Sequence, residues 1–345
     1  MSEWKECKLG DVAVFQRGHD LPKTKMTDGI VPVAGSNGII GYHNIATTRG
    51  PGITIGRSGN IGTPKYYKDD FWAHNTVLYI KDFKGNDEKF IYYFLHTFDF
   101  QGFNAGSAVP TLNRNHIHEI PVTLPPIPEQ RAIAAVLSSL DDKIDLLHRQ
   151  NKTLEGMAET LWRKLFVVEA DLAWKKGKLG DIAFVGTGKG LKRTEYVENG
   201  LYPIIGANGE IGRTNKFLTN EKLILTGRVG TLGEIIITHG KVWISDNVLI
   251  IKPNENRNLF PIYYLFKSLD FENLNVGSTQ PLITQTDLKN IEIQFPDNNI
   301  LDSFNKKCES AFNKIDHNIN QIQVLSRLRD TLLPKLMSGE VRVKA

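Results

Sequence analysis

Two stretches of the chain place seam residues alternately four and three positions apart. The first is Ile133, Leu137, Leu140, Ile144, Leu147, Asn151, Leu154, Ala158, Leu161 and Leu165. The second is Phe304, Cys308, Ala311, Ile315, Asn318, Ile322, Leu325, Arg329, Leu332 and Leu336. Four-three spacing held over this many turns predicts two long helices with a coiled-coil seam. Asn151 and Asn318 interrupt the apolar run, as a polar seam residue does when it fixes register at a cost in stability. Two matched helices in one chain can pair with each other; pairing between chains is the alternative. From residue 133 to 165 such a helix measures about 48 Å at ~1.5 Å per residue.

Upstream of each helix the pattern changes. Short β-branched runs such as Ile53-Thr54-Ile55 and Leu223-Ile224-Leu225 lie between Gly- and Asn-rich turns and predict short strands. Residues 90–98 and 261–269 have helical periodicity, giving a mixed α/β globule. The proline boundary Pro125-Pro126-Ile127-Pro128 then leads into a helix expected from Glu129-Gln130-Arg131.

This order occurs twice. WKECKLGDVA from Trp4 matches WKKGKLGDIA from Trp174, and PVAGSNGIIG from Pro32 matches PIIGANGEIG from Pro203. Gly56-Arg57-Ser58-Gly59-Asn60-Ile61-Gly62 matches Gly227-Arg228-Val229-Gly230-Thr231-Leu232-Gly233. Trp72 matches Trp243, Tyr92-Tyr93 matches Tyr263-Tyr264, and Lys143-Ile144-Asp145 matches Lys314-Ile315-Asp316. The offset is 170 at the first tryptophans and 171 from the prolines onward. A period this long describes a duplicated domain-plus-helix unit, not a solenoid. The expected division is a globular domain over 1–125, a helix over 126–170, a second globular domain over 171–296 and a second helix over 297–345.

Composition narrows the class. The 345 residues exceed what one core usually fills, which fits two domains. Cys7 and Cys308 cannot build a disulfide framework. With no apolar run of bilayer length and no signal-like N-terminus, the expectation is a cytoplasmic protein without membrane contact. A net charge of +4 permits a polyanionic partner without requiring one. No Asn/Asp-Pro-Pro-aromatic motif of an amino-methyltransferase is present. Gly186-Thr187-Gly188-Lys189-Gly190 fails the phosphate-loop spacing and reads as a turn. His116 and His118 lack the further ligands of a metal site. No cofactor or metal is expected.

At three places the chain resembles the specificity subunit of type I restriction–modification systems. These are Ile120-Pro121-Val122-Thr123-Leu124-Pro125-Pro126-Ile127-Pro128-Glu129-Gln130, the C-terminal Leu332-Leu333-Pro334-Lys335-Leu336-Met337-Ser338-Gly339-Glu340-Val341, and the order domain–helix–domain–helix. One departure is Phe295-Pro296-Asp297-Asn298-Asn299, where the family repeats its Pro-Pro…Glu-Gln boundary. The resemblance implies an α+β fold: two mixed α/β target recognition domains separated by a pair of long antiparallel coiled-coil helices, with a pseudo-two-fold internal repeat. It implies that each domain reads one half of a split double-stranded DNA target. The helices would set the spacing and dock two methyltransferase (modification) subunits, with a motor-nuclease restriction subunit joining that complex. The subunit itself would be non-catalytic. A protein-binding scaffold, a free DNA-binding regulator and an enzyme with an unrecognised nuclease or methyltransferase site are the other classes.

DNA contact needs cations for phosphates and forked or polar side chains for base edges. The candidates are Arg17, Lys23, Lys25, Arg57, Ser58, Asn60 and Lys65 in the first copy. In the second they are Lys189, Lys192, Arg193, Arg228 and Thr231. Arg57 and Arg228, flanked by glycine, stand out because the backbone there can approach a ligand closely; a structural arginine bonded to turn carbonyls is the competing role. Differences within the shared frame, such as Ile39 against Glu210, Tyr42 against Arg213 and Lys65-Tyr66-Tyr67 against Ile236-Ile237-Thr238, are candidates for changed base readout. The helix-pair seam is assigned to Leu137, Leu140, Ile144, Leu147, Leu154, Leu161, Ile315, Ile322, Leu325 and Leu332.

Overall fold

A computed structural model describes residues 4–103, 111–228, 234–271 and 282–343. It divides into two compact units: Met1–Leu146 with Gln321–Ala345, and Leu147–Asn320.

In the first unit, strands Val14–Arg17, Val77–Asp82, Gly52–Gly56 and Pro64–Tyr67 form a four-stranded antiparallel sheet in that spatial order. A three-stranded sheet sets Gly38–His43 antiparallel to Val31–Gly35, with Trp72–Ala73 parallel on the other side. Lys5–Lys8 pairs with Pro121–Leu124, so the start of the globule is zipped to the strand that leads into the long helix. The second unit has the same plan. Its four-stranded sheet runs Ala183–Thr187, Val248–Pro253, Ile224–Gly227, Ile235–Ile237; its three-stranded sheet runs Gly209–Thr214, Tyr202–Gly206, Trp243–Ile244; and Lys175–Lys178 pairs with Glu292–Phe295. The sequence repeat is therefore a repeat of topology.

The matched motifs hold local geometry. In Lys-Leu-Gly-Asp, Asp11 accepts from the Lys8 amide at 3.2 Å and Asp181 from the Lys178 amide at 2.8 Å, each closing a one-turn helix. The one-residue drift of the repeat lies in a loop. The short 3-10 turns Lys23–Lys25 and Arg193–Glu195 still match at 170, whereas Gly29 and Gly200, packed against the backbone of His43 and Thr214, match at 171. The second copy thus carries its extra residue between Tyr196 and Gly200.

The helices expected at residues 90–98 and 261–269 form two residues earlier, as Glu88–Leu95 and Leu259–Ser268. The first starts where the Asp87 carboxylate accepts from the Phe90 amide at 2.9 Å. Both long helices form: Ile127–Arg163, continued by a π-turn Lys164–Val168, and Asn298–Met337. The first begins two residues before Glu129. Pro128 is accommodated because amide groups in a first helical turn need no intrahelical acceptor.

The helices pair within the chain and run antiparallel. In the first unit Asp141 meets Arg329, and in the second Asn151 meets Asn318. Leu137, Leu147 and Ile315 are fully buried, and Leu140, Ile144, Leu154, Leu161, Ile322, Leu325 and Leu332 are half-buried. Ala134, Trp162 and Phe312 are also buried, off the four-three seam. Within each unit both helices cover the globule as well as each other, which requires a wider apolar stripe. Phe312, for example, lies 4.6 Å from Phe260 and 5.8 Å from Tyr263, ring centre to ring centre.

The two boundaries into the helices differ. In the first unit Glu129 and Gln130 are buried. Glu129 takes a bidentate bond from Arg342 (2.5 and 2.7 Å) and a bond from the Trp4 indole (3.3 Å). Gln130 donates to Asn86 (2.8 Å) and to the Pro125 carbonyl (3.0 Å). At the repeat positions the second unit has Ile300 and the buried Leu301, and its helix is capped by Asp297, which accepts from the Asn299 amide at 3.0 Å. Trp174, the match of Trp4, packs instead on Phe166 at 6.0 Å. The departure from the Pro-Pro…Glu-Gln motif is thus an exchange of a polar clasp for an apolar one.

Candidate nucleic-acid interface

Arg57 follows the central strand Gly52–Gly56 directly. Its backbone is held from both sides, donating to Thr76 O at 2.8 Å and accepting from the Leu112 amide at 2.8 Å. Ser58 bridges to Thr111. The loop beyond is folded tightly against the strand: a Cβ on Gly56 would lie 1.8 Å from the Asn60 carbonyl oxygen, and Gly62 sits at φ +81° against Phe100. Gly56 and Gly62 therefore serve backbone packing, and Gly59 supplies a left-handed turn at φ +79°.

Register brings a second arginine alongside. Arg17, at the end of its strand, faces Leu78, whose neighbour Val77 faces Gly56. Arg114 opens the short helix Arg114–His118, two residues beyond Leu112. Together Arg17, Arg57 and Arg114 line a cleft of about 370 Å³ with Leu78, Thr111, Leu112 and Asn113. Burial, reinforced by the Arg17 charge, pulls the Arg57 guanidinium below its usual basicity. The sequence reading missed Arg114, which belongs to no basic run and joins the others only through the fold.

The other first-copy candidates are placed elsewhere. Lys23 and Lys25 are exposed on a 3-10 turn after Arg17, and Asn60 is exposed in the loop after Arg57. Lys65 lies on the outer strand Pro64–Tyr67. Its neighbours belong to the interior: Tyr67 is buried and stacks on Phe71 at 4.6 Å, and Tyr66 packs on Tyr92 at 5.7 Å. The difference at Tyr66 and Tyr67 is accordingly one of core packing.

In the second unit Arg228 repeats the Arg57 frame, donating its amide to Asn247 O at 2.9 Å and accepting from the Ile283 amide at 3.1 Å. Thr187 stands where Arg17 stands, facing Leu249, and Gln285 opens the helix that Arg114 opens in the first unit. Lys189 and Lys192 are exposed. The Arg193 guanidinium lies 5.0 Å from the centre of the Tyr196 ring. Thr231 lies outside the described residues. Arg213 is engaged internally, with Glu210 at 3.0 Å and the carbonyls of Gly200 and Leu201, so the Ile39/Glu210 and Tyr42/Arg213 differences form one coupled exchange.

The matched tryptophans act on these loops: Trp72 donates to His19 O at 3.4 Å and Trp243 to Lys189 O at 2.8 Å. The Gly-rich turn 186–190 leads only to the 3-10 turn Arg193–Glu195, and a Cβ on Gly188 would meet the Ile244 carbonyl oxygen at 2.3 Å, so it packs on protein. His118 accepts from the Phe15 amide at 2.9 Å beside a strand irregularity, and burial with the Arg114 charge lowers its pKa. Among the described residues no group of His, Cys, Asp or Glu has metal-ligand geometry, and no helix is long and apolar enough to cross a membrane.

Residues 1–156 and again 172–327 match the family described as the type I restriction modification DNA specificity domain. The chain is 27% identical over 380 aligned residues to the type I restriction enzyme MjaIX specificity subunit of Methanocaldococcus jannaschii, covering 99% of this chain and 81% of that one. It is 25% identical over 281 residues to the MjaVIII specificity subunit of the same organism, covering 69% and 66%. The crystal structure of a type I restriction-modification system S subunit from M. genitalium shares the fold, with a TM-score of 0.68 at 21% identity over 97% of this chain and 96% of that one. Two matches of one domain family, one on each copy of the repeat, establish that the chain belongs to the specificity subunits of type I restriction–modification systems.

Proposed function

We propose that this chain is the non-catalytic DNA-reading subunit of a type I restriction–modification complex and recognises a two-part, asymmetric double-stranded target. The target recognition domains are assigned to 1–125 and 171–296, and the spacer helices to 126–170 and 297–345. Each domain reads one half-site. The helices set the distance between half-sites and dock two methyltransferase subunits, with the restriction subunit recruited through that complex. One observation carries the reading: the two copies keep the same frame around Arg57 and Arg228 but differ in the side chains beside it, Arg17 against Thr187 and Arg114 against Gln285. A shared frame with exchanged polar groups suits two readers of unlike sequences. The exposed Lys23, Lys25, Lys189 and Lys192 supply phosphate contacts at the loop edges, with Ser58, Asn60, Lys65, Arg193 and Thr231 as further contacts.

The test is a gel shift with the purified chain, with and without its methyltransferase partner, on a duplex carrying the methylated motif and on a scrambled duplex. Preference for the motif supports the reading. Protein binding without any DNA preference would oppose it, and methyl transfer or cleavage by the chain alone would overturn the non-catalytic assignment.

A further inference from the structure

We infer that Arg17, Arg57 and Arg114 form a clamp for a backbone phosphate of the DNA duplex, and that the second unit has no equivalent clamp. The inference rests on the proposed reading of DNA by each unit and assigns one contact within it.

Three arginines line one cleft, and no Asp or Glu lines it with them. Among the described residues none of the three side chains has a hydrogen bond or an ion pair. A nearby acid, Glu119, is taken by Lys8 at 2.5 Å. The segment 104–110, which precedes Thr111, contains no Asp or Glu. A protein that gathers three like charges and leaves them uncompensated gains from an anion placed there. Their positions are fixed by secondary structure: Arg17 by strand register, Arg57 by two backbone bonds, and Arg114 by the helix it opens.

The number of forks selects the ligand class. One guanidinium can read one guanine edge through two parallel bonds. Three arginines around one cleft supply more forks than a base edge accepts, but suit a phosphodiester, whose two charged oxygens accept from several donors. In the second unit, Thr187 and Gln285 leave Arg228 as the lone cation of the corresponding set. Thr and Gln can still meet phosphate or base edges, without adding charge. The half-site read by the first unit is therefore held with the larger ionic contribution.

The test uses the full chain in complex with its methyltransferase subunits and a fluorescent 40-base-pair duplex carrying the motif found by methylation mapping. Dissociation constants are measured between 50 and 300 mM NaCl for the wild type, for Arg17→Thr with Arg114→Gln, and for Arg17→Lys with Arg114→Lys. The Thr/Gln pair installs the residues that the second unit uses in the same frame. Its slope of log K against log salt is expected to fall by about one, the value for one lost phosphate contact. Affinity should fall by the same factor on motif and scrambled duplexes, with the methylated motif unchanged. The lysine pair keeps the charge and should keep most of the slope. An unchanged slope in the Thr/Gln variant, with motif preference intact in the wild type, would overturn the clamp alone. A changed base within one half-site would make these arginines base readers and also overturn it. Inorganic phosphate that abolishes wild-type binding, where chloride of equal ionic strength does not, would point to a small-anion site instead. A wild type without motif preference would remove the proposed function itself.

Discussion

Asn318 lies in the seam, fully shielded from solvent. Its Nδ2 donates to Asn151 Oδ1 at 2.8 Å and reaches Gln150 Oε1 at 3.5 Å, while its own Oδ1 has no hydrogen-bond partner. Asn151 is only half-buried, so water can replace its partner. The two amides should therefore respond oppositely to replacement by leucine. Asn151→Leu leaves the buried Asn318 amide with only the long Gln150 contact, at a cost of about 1–3 kcal/mol. Leucine at a half-exposed position recovers part of this, leaving a net loss of about 1–2 kcal/mol. Asn318→Leu removes a buried group that is already half unsatisfied. It adds a buried side chain worth about 1.5–3 kcal/mol of transfer free energy, so a gain of about 1–2 kcal/mol is expected after imperfect packing. The repeat positions of this pair, Leu147 and Ile322, are apolar, so an apolar layer suits the seam. The double leucine variant should be at least as stable as Asn318→Leu but should pair less selectively, because the polar layer that opposes slipped or intermolecular pairing is gone. Urea unfolding followed by circular dichroism and tryptophan fluorescence reads the stability, and light scattering after size exclusion reads the pairing. Equal signs for the two single variants, or a loss above about 1 kcal/mol in Asn318→Leu, would refute the reasoning.

The Glu129 clasp predicts a pH dependence. The Arg342 bonds hold the Glu129 carboxyl below its usual range, so its contribution is present above the unfolded carboxylate pKa and is lost as pH falls through the depressed folded value. Glu129→Gln should cost about 1–3 kcal/mol at pH 7, and the difference from wild type should shrink below about pH 4; a difference that stays constant down to pH 2 would contradict the clasp. For the helices as a spacer, a heptad inserted after Gln150 adds about 10 Å while keeping the seam in phase. Partial absorption as a bulge leaves an expected growth of about one to three base pairs in the non-specific spacer, read by methylation mapping. A two-residue insertion should destabilise the chain instead, and an unchanged spacer in an active heptad variant would leave the helices as docking surfaces only.

Much of the fold was legible because it is local or repeated. Four-three spacing marks helices wherever they pack, and matched strings such as PVAGSNGIIG and PIIGANGEIG adopt matched strands at a constant offset of 171. The seam was legible for the same reason, although its width was not: Trp162 and Phe312 are buried by the globule, which a helix-only pattern does not contain. What escaped was long-range pairing of polar groups. Glu129 belongs to a visible motif, but its partners Trp4 and Arg342 lie 125 and 213 residues away. Asp141 accepts from Tyr93 at 2.6 Å and from Arg329 at 2.8 Å, a polar layer replaced by Phe312 and Ala158 at the repeat positions. For the DNA candidates, runs of basic residues were a poor guide. Arg17 and Arg57 converge with Arg114 through strand register and the Ser58–Thr111 bridge, whereas Lys23, Lys25 and Lys65 lie outside that cleft.

Modular reading of two unlike half-sites is tested most directly by methylation mapping after domain exchange. Residues 1–125 are replaced by the corresponding domain of a related specificity subunit, and the hybrid is produced in cells with its methyltransferase partner. Modular reading predicts a two-part methylated motif in which one half changes, while the other half and the spacer stay as in the parent. A motif changed in both halves, or in neither, by a hybrid that still supports methylation would contradict it.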